Sequence, residues 1–139
     1  MERELREAVR SLCAKFSHEY WQDLDRERAY PEEFVRELTD AGYLSALIPE
    51  EYGGEDDMPR FIHIFEALAM FDLSLVVKFG VQFGLFGGSI LFLGTEKHHR
   101  KYLADIASLD LLGGFAMTES GHGSNVRELE TTAKFDPET

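Results

Sequence analysis

The sequence predicts a mainly α protein: an N-terminal helical bundle domain over residues 1–110, then the first strands of a truncated β-domain over residues 111–139. Three observations carry that prediction. Apolar side chains recur from Leu5 to Ile106 at the three- and four-residue intervals that give a helix one apolar face. The stretch 73–95 carries a single charge, Lys78. After Asp110 the helical period stops, and short apolar runs between glycines replace it.

Leu5, Val9, Leu12, Cys13, Phe16 and Tyr20 fall at helical spacing, so one amphipathic helix is expected through that range. Pro31 is expected at the first position of a second helix, where a missing N–H costs nothing. Phe34, Val35, Leu38 and Ala41 then face inward, and Gly42 closes the helix as a left-handed cap. The run Leu47-Ile48-Pro49-Glu50-Glu51-Tyr52-Gly53-Gly54 reads as an ordered loop with breakers at both ends. Pro59 opens a third helix, with Phe61, Ile64, Phe65 and Leu68 inward.

The 73–95 stretch is close to the roughly 20 apolar residues that span a bilayer. Lys78, Gln82 and its glycines weigh against insertion, so the expectation is a helix buried on all sides in a bundle, with a membrane span as the weaker alternative. Gly80, Gly84 and Gly88 are expected to form a strip that a backbone or an elongated ligand approaches closely, and a leucine at 84 to overpack it. Thr95 is the expected N-cap of a helix to about residue 107, with Tyr102, Leu103 and Ile106 inward. Beyond it, strands are expected at 111–117 and 131–135, a polar loop at 118–125 and a turn at Asp136-Pro137. Two strands alone are rarely stable, so this segment is expected to be mobile or to pair with a second copy in a homo-oligomer.

With 139 residues, 44% hydrophobic and 29% charged, the chain suits one soluble domain. A net charge of -12 argues against a nucleic-acid partner. The run Lys97-His98-His99-Arg100-Lys101 reads as the solvated face of one helix. Cys13 is the only cysteine, which excludes an internal disulfide and a thiolate metal cluster, and its apolar neighbours mark it as core. Adjacent His98 and His99 diverge on a helix, so no zinc pair and no metal site are expected. The charged start Met1-Glu2-Arg3-Glu4 has no apolar leader behind it, and a cytoplasmic location is expected.

The stretch richest in chemistry is Phe115-Ala116-Met117-Thr118-Glu119-Ser120-Gly121-His122-Gly123-Ser124-Asn125. A strand end followed by such a loop offers backbone N–H groups and two short hydroxyls, Thr118 and Ser124, to an anion or a carbonyl. A plain Gly-Ser turn between strands explains the spacing equally well.

This stretch resembles the Phe-Ala-Met-Thr-Glu-x-Gly-x-Gly-Ser-Asn/Asp segment of acyl-CoA dehydrogenases and acyl-CoA oxidases. Supporting segments follow in the family's order: Pro31-Glu32-Glu33-Phe34, Ile48-Pro49-Glu50-Glu51-Tyr52-Gly53-Gly54, Glu66-Ala67-Leu68-Ala69, Gly94-Thr95-Glu96-Lys97 and Lys101-Tyr102-Leu103. The resemblance implies a flavoenzyme that binds FAD and an acyl-CoA substrate and carries out α,β-dehydrogenation of the thioester. The electrons then pass to an electron-transfer partner in dehydrogenases or to oxygen in oxidases. It implies that Phe115, Met117, Thr118, Gly121, Gly123 and Ser124 meet the cofactor, with Ser124 also near the substrate's pantetheine arm. Val77, Val81, Gly84, Leu85 and Gly88 are implied beside the acyl tail, although core packing explains them equally well. Glu119 and Glu66 match no catalytic position, and neither does His122.

Residues 1–54 look dehydrogenase-like, whereas 120–125, 129–132 and 135–139 look oxidase-like. Glu55-Asp56-Asp57-Met58 stands where the styles meet. The family's catalytic glutamate, its second flavin-contacting segment and its C-terminal bundle match nothing up to Thr139. The 139 residues alone are therefore expected to be inactive, with weak or absent FAD binding. The alternative from another class is a non-catalytic helical scaffold or interaction module derived from the same family.

Overall fold

Short polar side chains decide where the helices begin. The Ser17 hydroxyl accepts from the Tyr20 N–H at 3.2 Å, Asp57 from the Arg60 N–H at 2.8 Å and Asp72 from the Ser74 N–H at 2.7 Å. The Thr95 N–H donates to Nδ1 of His98 at 3.0 Å, so the histidine three residues on reaches back to the cap. The computed structural model describes residues 2–137. In it these caps open α2 (His18–Glu27), α4 (Met58–Ala69), α5 (Leu73–Phe79) and α7 (Glu96–Ser108). The remaining α-helices are α1 (Glu2–Cys13), α3 (Glu32–Asp40) and α6 (Gly88–Leu93), with a π-helical segment, Gly80–Gly87, joining α5 to α6.

The core forms where apolar faces of α1, α3, α4, α5 and α7 meet. It includes Val9, Leu12, Cys13, Phe34, Leu38, Ile64, Leu68, Leu75, Phe79, Phe83, Leu103 and Ile106. Full burial of each large side chain contributes about 1.5–3 kcal/mol. As expected, Phe34, Val35 and Leu38 of α3 are buried, and Gly42 takes a left-handed φ of 70° just past its end. Pro31 stands at the N-cap, one place before the expected first helical position.

Four expectations are corrected. The single helix expected from Leu5 to Tyr20 is two, because the chain turns after Cys13 and Ser17 starts α2 in extended conformation. Phe16 stays inside through that turn, with its ring 5.1 Å from Phe34 and 5.0 Å from Tyr20. Helix α2 was not legible because it has no buried residue and anchors chiefly through Trp21, 4.9 Å from Phe34 and 5.5 Å from Phe71.

The apolar stretch is one continuous helical run, Leu73–Leu93, but it is not buried on all sides. Only 33% of its apolar window is buried, although length and composition alone would let it cross a membrane. Leu75, Phe79, Gln82 and Phe83 face the bundle, whereas Val77 is 61% and Leu93 84% exposed. The reason is position: α4 and α7 cover one side of the run.

The glycine strip is also displaced. A Cβ at Gly84 would meet nothing within 4 Å, so a leucine there has open space. The close approach is at Gly87, where a Cβ would stand 3.0 Å from the Gln82 carbonyl oxygen and 3.3 Å from Ile106. The π geometry brings that carbonyl, five residues back, under Gly87.

Finally, the strands expected at 111–117 and 131–135 do not form. Both segments lack ladder partners, and the only bridge among the described residues is the isolated antiparallel pair Glu119 and His122. A strand needs a neighbour for its N–H and C=O groups, and none is present among residues 2–137. The 135–139 motif extends to Glu138 and Thr139, which, like Met1, lie outside the described residues.

The two glycines give opposite expected outcomes. Gly84→Ala should raise stability by about 0.5–1 kcal/mol through reduced unfolded-state entropy. Gly87→Ala should lower it by about 1–3 kcal/mol through overpacking. Urea denaturation midpoints at equal slope check both.

Candidate flavin-binding stretch

A buried side-chain amide governs how the chain leaves α7. Gln82 is only 5% exposed; its Nε2 donates to the Leu111 carbonyl at 2.8 Å and its Oε1 accepts from the Gly113 N–H at 2.9 Å. The Leu111 N–H returns to the Asp105 carbonyl at 2.9 Å. Gly113 lies on the Phe86 ring so closely that a Cβ would collide with it. Four anchors therefore fix residues 111–113 against the helical run before the chain enters the stretch of interest.

Residues 115–118 then run open to solvent. Phe115 is 44% and Met117 43% exposed, and Thr118 is exposed as well. Phe115, Met117 and Thr118 make no hydrogen bond to other described residues, so their backbone groups and the Thr118 hydroxyl are available. The chain next turns tightly, with the His122 N–H donating to the Glu119 carbonyl at 3.1 Å.

The Glu119 carboxylate ties this turn to the segment that follows. It accepts from the Glu130 N–H at 2.8 Å, from the Thr131 N–H at 2.7 Å and from the Thr131 hydroxyl. The Glu130 N–H, then the Thr131 hydroxyl and N–H, stabilise the carboxylate and hold its pKa below the ordinary range. The His122 ring sits between two carboxylates, Nδ1 3.7 Å from Glu128 and Nε2 3.6 Å from Glu130.

Gly121 and Gly123 carry no left-handed backbone in this loop. The left-handed residue is Ser124 instead, with φ 58°. Both glycines have open space where a Cβ would point. A serine in that region carries strain of about 1–2 kcal/mol, and the residue is exposed.

Of the residues placed beside the acyl tail, Val77, Gly84 and Leu85 are exposed and Val81 is half-buried. Gly88 is turned inward, its Cβ direction aimed at the Phe83 carbonyl and the Phe92 ring at 3.7 and 3.8 Å. These positions form an open face rather than an enclosed pocket. A cleft of about 530 Å³ lies elsewhere, between α1, Tyr43 and the start of α4, and contains none of them.

The other reactive groups are occupied structurally. Glu66 receives Arg6 at 2.5 Å and His63 at 3.3 Å, and the His63 hydrogen bond, then the Arg6 charge, lowers its pKa. Burial pushes the Cys13 thiol up to about 11, far from a reactive thiolate. Among the described residues no group of three or more His, Cys, Asp or Glu side chains is arranged to hold a metal ion. The anchoring roles of Gln82, Gly87 and Gly113 were not read from the sequence, where Gln82 counted only against membrane insertion. An uncharged amide inside an apolar run was the available signal, because such a group requires a buried donor and acceptor.

The profile of the acyl-CoA dehydrogenase N-terminal domain matches residues 1–110, and the chain belongs to that family. The curated relatives it matches are named as acyl-CoA oxidases and acyl-CoA dehydrogenases. Peroxisomal acyl-coenzyme A oxidase 2 of Arabidopsis thaliana is 54% identical over 82 residues, covering 59% of this chain and 12% of the relative. Acyl-CoA dehydrogenase FadE12 of Mycobacterium tuberculosis is 34% identical over 133 residues, covering 95% of this chain and 34% of the relative. The crystal structure of an acyl-CoA dehydrogenase from Geobacillus kaustophilus superposes with a TM-score of 0.85 at 28% identity, over 98% of this chain and 36% of that one. The chain thus spans about a third or less of the length of the curated relatives it matches.

The Glu119 tie should be pH-dependent with a definite sign. Its folded pKa is lowered, so its contribution is present above the unfolded carboxylate range, about 4.3, and is lost as pH falls through the folded value. Protection of the Glu130 and Thr131 amides, corrected for intrinsic exchange, should therefore hold from pH 7 down through the ordinary carboxylate range, about 4.3, and disappear only below it. Glu119→Ala should remove it at every pH.

Proposed function

We propose that this chain forms the flavin- and acyl-facing part of an FAD-dependent enzyme that dehydrogenates acyl-CoA thioesters between the α and β carbons. One observation carries the reading. Residues 115–118 are anchored at their start through Gln82 and Gly113, yet their own hydrogen-bonding groups are left free. A stretch with unpaired N–H groups, an exposed threonine hydroxyl and a strained, outward serine fits the polar edge and phosphates of FAD. Thr118 and the Met117 backbone would hold the flavin ring edge, Ser124 the pyrophosphate, and Phe115, Gly121 and Gly123 the surrounding surface. Bound there, the flavin supplies the hydride acceptor.

The chain's own residues bind and orient in this reading, and none abstracts the α-proton. Glu119 and Glu66 are both engaged by hydrogen-bond donors that lower their basicity, which supports leaving the base to another segment. The exposed apolar side of Leu73–Leu93, with Val77, Val81, Gly84 and Leu85, is proposed to run beside the acyl tail. The final acceptor is proposed to be oxygen or an electron-transfer protein, and comparison of aerobic with anaerobic reoxidation separates them. A reducing, cytoplasmic compartment is proposed on the single buried cysteine, and a homo-oligomer on the same exposed apolar side.

A second reading, a helical scaffold or interaction module, draws on that apolar side as well. Flavin binding separates the two. Binding of FAD by these 139 residues is expected to be weak, so a titration carried to high FAD concentration should quench flavin fluorescence only gradually, and Thr118→Val or Ser124→Ala should each weaken it further by about tenfold, as loss of one hydrogen bond does. Binding unaffected by both variants would favour the scaffold.

Turnover gives an independent check. With FAD and acyl-CoAs of several lengths, the 139-residue chain should form no enoyl-CoA above background. Turnover abolished by Glu119→Gln or Glu66→Gln would assign the base to a residue this reading leaves structural.

A further inference from the structure

Gln82 lies on the π-helical segment between Val81 and Gly84, which belong to the acyl-facing side, and its amide grips Leu111 and Gly113, directly before the flavin-facing stretch. No other buried polar or charged residue is found among the described residues, and both polar ends of this one are satisfied by the same short segment. Packing alone does not require this, since an apolar side chain of equal volume would fill the space without needing a donor and an acceptor. What the amide adds is register. It allows residues 111–113 one position along the helical run, because a shift of one residue would break both hydrogen bonds at once. Gly113 restricts the approach further by lying on Phe86, and Gly87 keeps the π turn narrow over the Gln82 carbonyl.

We propose that Gln82 is a positioning residue that sets the flavin-facing stretch against the acyl-facing helix, so the distance between cofactor and acyl chain is fixed through its amide. The inference rests on the flavin reading above for its role, but not for its geometry. No charged group takes part, so the tether holds across the pH range in which the chain is folded.

The test uses the 139-residue chain and Gln82→Met, which keeps the volume and removes the amide. Amide exchange at residues 111–118 should rise about tenfold, as expected for loss of a hydrogen bond, while α1 and α4 keep their protection and the denaturation midpoint stays close to the parent. Affinity for FAD should fall by about the same factor, although Thr118 and Ser124 are untouched. Should Gln82→Met lower the midpoint of the whole chain, Gln82→Glu decides, because it keeps the acceptor for Gly113 and loses the donor to Leu111. Retained protection at Gly113 with faster exchange around Leu111 would support the tether. Unchanged exchange at 111–118, or exchange rising equally in every helix, would overturn it. Faster local exchange with unchanged FAD affinity would overturn the positioning role and leave flavin binding standing. A parent chain that binds no FAD matches the weak or absent binding expected of these 139 residues, and the exchange measurement then decides the tether.

Discussion

The fold depends on α1 packing lengthwise on α4. Each helix is apolar on one side only, so neither is stable in water without the other. Val9, Leu12 and Cys13 from α1 join Ile64, Ala67 and Leu68 from α4 in one continuous core. The pair is pinned at its solvent edge by Arg6, which donates to Glu66 at 2.5 Å. Exposed charges of this kind add little energy and chiefly fix alignment. Once α1 and α4 are placed, α3 closes one side through Phe34 and Leu38, and α5 follows α4 around the other.

The helical run after α4 carries that order to the chemistry. Its inward row packs on the bundle, while the π segment aims Gln82 at the residues leaving α7. Residues 115–118 are thereby held at one end by the helical domain and beyond them by the Glu119 carboxylate. Between those ties the backbone is unpaired. A segment that is held in place and yet unsatisfied is suited to a ligand that completes its hydrogen bonds, because little ordering entropy remains to be lost on binding.

The apolar side of Leu73–Leu93 lies open because α4 and α7 cover only one side of the run, which leaves Val77 and Leu93 exposed. Ser124 keeps a left-handed backbone in the exposed loop beyond Glu119.

Amphipathic spacing and capping chemistry act within one or two turns of chain, so α3, α4 and α7, the caps at Thr95 and Gly42, and the family motif at 115–125 were legible in the sequence. Helix α2 was not, because its hold on the domain is a cluster of aromatic rings from Phe16, Phe34 and Phe71. Which side of the apolar run faced inward, and whether Gly84 or Gly87 was the crowded glycine, depended on where α4 and α7 lay. The strands at 111–117 and 131–135 were rightly apolar and alternating but lacked neighbours, and a strand is a property of a pair. The sequence alone determined the helical class and the residues of the candidate site. Only the tertiary structure decided that Gln82 anchors the residues leading into that stretch, because a buried amide gains meaning from the donor and acceptor that the fold brings to it from about 30 residues away.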